Sequence, residues 1–252
     1  MKPVLCLIPV MLAPTMAIAA PVEFQSSERQ TALLELFTSE GCSSCPPAES
    51  WLSRLKDAPG LWSDFVPIAF HVDYWDYLGW RDKWAEGKFS NRQRAYAQSW
   101  GSDNIYTPGL VLNGKEWRSW SGRTAVPSSG GIKAGKLKVT SEDTNHWQVG
   151  FAPIKPEAVS YEVHVALMVS GLVSEVKAGE NAGRHLQHDF VVLALLQRPL
   201  TRHQDNFEGA FTMDTKLKPI DGPLALAVWI TRSGQMEPLQ AAGGWLTGPN
   251  RN

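Results

Sequence analysis

The sequence predicts an α/β domain followed by an all-β, sandwich-like domain. Three observations carry that expectation. The apolar run Ala32–Phe37 passes into a helical pattern through Gly41-Cys42-Ser43-Ser44-Cys45-Pro46-Pro47. A second apolar run, Val66–Val72, follows it, as a strand–helix–strand unit with parallel strands requires. Beyond residue 139 the pattern changes to short apolar runs separated by turn residues, without helix-length periodicity.

The chain opens with Lys2, an apolar run from Val4 to Met16 and the small residues Ala17-Ile18-Ala19. This is the pattern of a secretory signal peptide, residues 1–19, with cleavage expected after Ala19. Its removal takes Cys6 away and leaves Cys42 and Cys45 in the oxidising periplasm or exterior. It also removes one lysine, so 24 basic residues become 23 against 25 acidic ones, a charge of −2. That balance argues against nucleic acid as a partner, and the mature form is expected to have no membrane association. We place the first domain at residues 28–122, a linker or weak last helix at 123–138 around Pro127 and Gly130-Gly131, and the β domain at 139–252.

Within the first domain, Trp51, Leu52 and Leu55 recur at helical spacing, and Pro46 and Pro47 suit a first helical turn. The cysteines then sit where a strand becomes a helix. Free amide donors and the helix dipole there favour a thiolate, so Cys42 is expected half-exposed with a lowered pKa. The strand ending at His71 brings His71, Asp73 and Asp76 to the same sheet edge. Tyr74–Gly101 is helical in character, with Ser90 or Asn91 as cap and Gly101 as stop. Asn113-Gly114 signals a two-residue hairpin, and Pro108 before it is a candidate cis proline. In the second half, His146–Phe151, Ser160–Val169, Phe190–Leu196, Phe207–Met213 and Leu224–Thr231 read as strands.

Three chemistries compete for Cys42-Ser43-Ser44-Cys45. As a structural disulfide it is a poor staple, since so short a loop contributes roughly 2 kcal/mol or less. As half of a metal site it needs two further ligands, with His71 the nearest helper in type. As a redox pair it fits its place at a strand–helix junction of an exported protein. Cys42 would then form the mixed disulfide and Cys45 resolve it, on a protein or small-molecule thiol or disulfide, with a redox partner protein to recharge the pair. No cofactor is called for. The rival is a copper or zinc carrier, or a binding protein that uses an aromatic groove.

The order strand, C-x-x-C, helix, strand, Thr107-Pro108 and Asn-Gly hairpin resembles the thioredoxin fold. The wording is more similar still to a bacterial family of secreted thioredoxin-like proteins, itself defined as a domain of unknown function. The matching stretches are Glu35–Ala48, Phe70–Asp76, Arg92–Tyr96, Tyr106–Pro108 and Gly179–Arg184. The resemblance implies an α/β thioredoxin-like first domain in which Pro108 faces the cysteine pair. It also implies that Glu35 serves as a buried acid moving protons to the resolving cysteine. Gly41 stands where thioredoxin keeps a tryptophan.

Outside the cysteine pair, several residues admit two readings each. Glu35 in an apolar strand has to be protonated, paired or at an edge. His71 could stabilise the Cys42 thiolate as a cation, or be hydrogen-bonded within the fold. Asp73 or Asp76 beside it would oppose that effect. Eight of the eleven tryptophans lie between Trp51 and Trp120, and Trp75, Tyr77, Trp80 and Trp84 could line a groove. His185, His188 and Asp189 could bind a metal, but their spacing alone is not a ligand signature and favours a polar loop before the strand at Phe190.

Overall fold

The structure is a computed structural model and describes residues 21–120, 131–215 and 221–246. The expected signal peptide and residues 123–130 of the expected linker lie outside the described residues. The first half contributes β1 (Val22–Gln25), β2 (Ala32–Thr38), α1 (Pro46–Ser53), β3 (Phe65–His71), α2 (Gly87–Ser99), β4 (Gly109–Leu112) and β5 (Lys115–Glu116). The second half contributes β6 (Gly135–Ser141), β7 (His146–Pro153), β8 (Tyr161–Val169), β9 (Leu172–Glu175) and β10 (His185–His188). There follow β11 (Val191–Pro199), β12 (Thr201–His203), β13 (Asn206–Thr212), β14 (Leu224–Arg232) and β15 (Pro238–Trp245).

This composition corrects the expected fold class. Among the described residues strands make up 45% and helices 14%, with two α-helices, so the fold is mostly β and not an α/β thioredoxin-like domain followed by an all-β sandwich. Its largest sheet has eight strands in the order β15-β14-β8-β11-β3-β2-β4-β5 and draws on both halves of the chain. The reason lies in β3, whose seven residues are all buried. β2 covers one of its edges in parallel, with Ala32 opposite Phe65 through Thr38 opposite His71. An apolar strand left with an open second edge would expose unpaired amides to association. β11 closes that edge, also in parallel, with Val191 opposite Ala69 and the Ala69 amide donating to the Phe190 carbonyl at 2.9 Å.

The sheet has two cores because its strands alternate. On β8, Tyr161, Val163, Val165 and Leu167 face one way and Ala166 and Met168 the other. On β14, Leu226, Val228 and Ile230 oppose Ala225, Ala227 and Trp229. The first set packs against a five-stranded sheet, β1-β6-β7-β13-β12, through Phe24, Trp147, Phe151 and Phe207. The second set joins the core around β2 and β3. β15, at the far edge by hydrogen bonding, curls back against β2 and β3. There the Gln240 side chain accepts from the Thr31 amide at 2.8 Å, and Gln30 donates to the Pro238 carbonyl at 3.0 Å.

Local structure follows the sequence unevenly. The hairpin at Asn113-Gly114 forms, with both residues at positive φ, and the Thr107–Pro108 peptide is cis. The helix expected through Tyr74–Gly101 starts only at Gly87. Residues 74–86 form a loop containing one 3-10 turn, Asp76–Leu78, which Gly79 ends in the left-handed region. The five strands expected in the second half form with ends shifted by no more than three residues, whereas β6 begins at Gly135, inside the expected linker. A separate two-stranded hairpin, β9–β10, forms where no strand is expected and packs beside α1.

Candidate functional site

β2 ends at Thr38, and the chain turns through Ser39–Ser44 before α1 begins at Pro46. Cys42 and Cys45 are joined in a disulfide with their Cα atoms 5.5 Å apart. The turn is tied by its own backbone: the Cys42 amide donates to the Ser39 carbonyl at 3.1 Å, and the Cys45 amide to the Cys42 carbonyl at 3.2 Å. Gly41 lets Trp75 come close, since a Cβ there would stand 3.0 Å from the Trp75 Cβ. The Ser44 hydroxyl lies 3.3 Å from Cys42 Sγ and 3.4 Å from the Thr107 carbonyl. Trp75 Nε1 donates to Thr107 Oγ1 at 2.7 Å. The Thr107–Pro108 segment thus lies beside the cysteine turn.

Two expectations for the pair are corrected. Cys42 is not half-exposed: both cysteines are fully buried. Nor does the helix start offer free donors. Its first two positions are Pro46 and Pro47, which carry no N–H, and the amides of Ala48 and Glu49 already donate to the Cys45 carbonyl at 2.9 and 3.1 Å. The same prolines that mark the helix start in the sequence remove the amides that would hold a thiolate.

The turn between β9 and β10 is bonded to the backbone of the cysteine turn. Asn181, fully buried, donates through Nδ2 to the carbonyls of Glu40 and Cys42 at 2.8 and 2.9 Å. Glu180 accepts from the Ser43 amide at 3.0 Å, and the Ser43 hydroxyl together with that amide holds its carboxyl below the usual value. Asn181→Ala is therefore expected to speed reduction of the disulfide by a water-soluble phosphine severalfold, read by alkylation of the released thiols. An unchanged rate would mean that this clamp does not control access.

Beneath the cysteine turn lies a buried polar cluster. Glu49, one turn into α1, is bonded by the Thr38 hydroxyl and by His188 Nδ1, the latter at 2.7 Å. His188 Nε2 lies 3.4 Å from Glu40 Oε1. His71 Nδ1 meets Asp82 Oδ2 at 2.7 Å, the same oxygen accepts from the Glu40 amide at 2.9 Å, and the two imidazoles stack edge-on at 5.2 Å. Trp80 Nε1 donates to Glu40 Oε2 at 2.6 Å. Burial alone would push His188 down, but the carboxylates of Glu40 and Glu49, one beside each ring nitrogen, raise it to about 10. Burial raises Glu49, and the bond and charge of His188, with His71 and Thr38 adding, outweigh it and hold the carboxyl below its usual value.

Glu35 stands elsewhere. It is three residues from Thr38 on β2, an odd number, so it faces the opposite side of the sheet from α1 and the cysteines. There Arg92 of α2 grips it through Nε and Nη2 at 2.6 and 3.0 Å, and the Tyr96 hydroxyl donates to the same carboxylate. Burial with this carboxylate beside it raises the Tyr96 phenol well above 10. Glu35 is therefore a paired strand residue on the far face and shares no contact with the resolving cysteine.

The structure brings Cys42, Cys45 and Pro108 together and assigns His71 to the cluster with Asp82 and His188. Asp73 accepts from the Ser90 hydroxyl at 2.5 Å, and Asp76 accepts from the Asp82 amide at 3.1 Å. Trp75 and Trp80 pin loops through their indole nitrogens, Trp84 lies under Lys83, and Tyr77 is exposed, so the four do not line one groove. Of the second-half trio, His185 is exposed, Asp189 pairs with Lys56 at 2.8 Å, and only His188 enters the cluster. Sequence reasoning alone misses Glu40, Glu49, Asp82 and Asn181. The signal for Glu49 is a carboxylate four residues after Cys45, on one helix face with it.

The fold is shared with solved structures. Protein AGR_C_4864 from Agrobacterium tumefaciens superposes with a TM-score of 0.60 at 21% identity, over 90% of this chain and 98% of that one. HBP35 of Porphyromonas gingivalis superposes with a TM-score of 0.57 at 11% identity, over 87% of this chain and 76% of that one. These likenesses concern the fold. No curated protein matches the sequence. The model of a family described as protein of unknown function, DUF1223, matches residues 33–231, and the chain belongs to that family.

Proposed function

We propose that the protein is an exported thiol–disulfide oxidoreductase acting through Cys42 and Cys45 on protein or small-molecule thiols. The observation that carries this reading is the disulfide closed at C-x-x-C spacing at the β2–α1 turn. Ser44, with its hydroxyl at Cys42 Sγ, and Ser43 are both exposed beside it. A bridge across so few residues adds only roughly 2 kcal/mol to stability by chain entropy, so reactivity explains it better than stapling.

The exchange conserves atoms and electrons. A substrate thiolate attacks the Cys42 sulfur, the S–S bond breaks, and the electron pair leaves on Cys45. A second substrate thiolate attacks the substrate sulfur of the mixed disulfide and releases Cys42. Two substrate thiols become one disulfide, their two protons pass to solvent, and the pair takes up two to become a dithiol, which a redox partner protein reoxidises. Run backwards, the reduced pair reduces a substrate disulfide, and the pair's potential sets the direction. Because both cysteines are buried, the cysteine turn has to open to solvent before exchange.

Incubation of the reduced protein with oxidised glutathione tests the reading. The expected result is a mixed disulfide on Cys42, resolved by Cys45 to the intramolecular bond. A protein whose thiols react no faster than free cysteine would contradict it.

A further inference from the structure

We propose that Glu49, His71 and His188, with Glu40 alongside, form a binding site for a divalent transition-metal ion of the zinc class. One ligand atom from each of Glu49, His71 and His188 lies within 4.8 Å of the others, and all three side chains are buried. They come from three separate elements, α1, β3 and β10, so an ion here would tie the β9–β10 hairpin to the body of the protein.

Two further observations point to a cation. His188 Nε2 and Glu40 Oε1 are both buried and meet only each other, in an ion-pair contact of 3.4 Å that is too long for a good hydrogen bond. Two ligand atoms on a tetrahedral ion with bonds of about 2.0–2.1 Å stand about 3.3–3.4 Å apart. The spacing of this pair matches the edge of such a tetrahedron. The other observation is charge: the carboxylates of Glu40, Glu49 and Asp82 share this interior with two imidazoles. Buried carboxylates need compensating positive charge. A divalent ion bound among them would supply it.

The second layer is built as metal sites require. An imidazole that ligates through one nitrogen is oriented by a carboxylate at the other. Asp82 does this for His71 at Nδ1, and the ring then offers Nε2. Two imidazoles and carboxylates are the donor set of zinc and its first-row neighbours rather than of calcium or magnesium.

The site does not depend on the exchange reaction, and its test keeps the two apart. The oxidised chain, its disulfide verified by failure to alkylate, is stripped with a chelator and titrated with zinc against a chromophoric competitor. One equivalent per chain is expected, with a matching rise in melting temperature. His71→Ala and His188→Ala are expected to lower the affinity more than about 100-fold, and Asp82→Asn by about 10- to 100-fold as a positioning residue. Should those variants fail to fold, the wild-type titration decides alone: no saturable uptake overturns the site. Full uptake by a folded His71→Ala/His188→Ala protein places the ion elsewhere and overturns it too.

Discussion

Cys42→Ala is expected to lower exchange with oxidised glutathione by at least about 100-fold, because the predicted mature chain has no other thiol with a resolving partner. Cys45→Ala behaves differently. Its Cys42 still attacks, but nothing three residues away expels the bound thiol, so a stable mixed disulfide accumulates with a mass increase of one glutathione. The pattern distinguishes exchange from stapling. If the pair were only structural, both substitutions would cost roughly 2 kcal/mol of stability and neither would trap a substrate. Wild-type rates in both variants would remove the proposed function.

Arg92→Ala is expected to cost about 3–5 kcal/mol of stability, because it leaves the Glu35 carboxylate buried without its partner. The Arg92 side chain is only 8% exposed and Glu35 is not exposed at all, so solvent screens little of the loss. Arg92 also lies over the rings of Phe70, Tyr96 and Trp229 at 5.5, 5.1 and 5.0 Å, so packing is lost with the charge. For a chain of this size the melting temperature falls by about 6–20 °C. Replacing the pair together, Glu35→Met with Arg92→Met, recovers most of the loss. Denaturant unfolding of the three proteins measures this, and a loss below about 1 kcal/mol for Arg92→Ala would show the pair to be screened. Glu35→Gln, on the face away from the cysteines, is expected to leave the exchange rate per folded molecule unchanged.

What the sequence makes legible is local. The Asn113-Gly114 turn, the strand before Cys42, the Pro46-Pro47 helix start and five strands of the second half are written in neighbouring residues. The joining of both halves into one sheet is not, because it depends on β11 meeting β3 across more than a hundred residues. Periodicity reports burial without naming the partner. The apolar run of β3 fits a covered strand in either architecture.

The candidate site divides in the same way. Cys42 and Cys45 are visible from spacing, but their burial is not, since Asn181 reaches them from 139 residues away. Glu35 stands out as an acid in an apolar strand, and the structure explains it by Arg92, placed opposite by α2. Glu49 does not stand out, because a glutamate in a first helical turn is ordinary. Only the arrival of His188 on β10 makes it part of a buried cluster.

The central claim is that the Cys42–Cys45 disulfide is a working redox couple rather than a fixed crosslink. Equilibrating the full chain across dithiol and glutathione buffers, trapping with an alkylating agent and counting modified cysteines by mass gives its reduction potential. The account predicts a reversible two-electron transition with a midpoint above about −300 mV, in the range of exchange catalysts. A pair that remains oxidised below about −300 mV would be a structural crosslink and would contradict it.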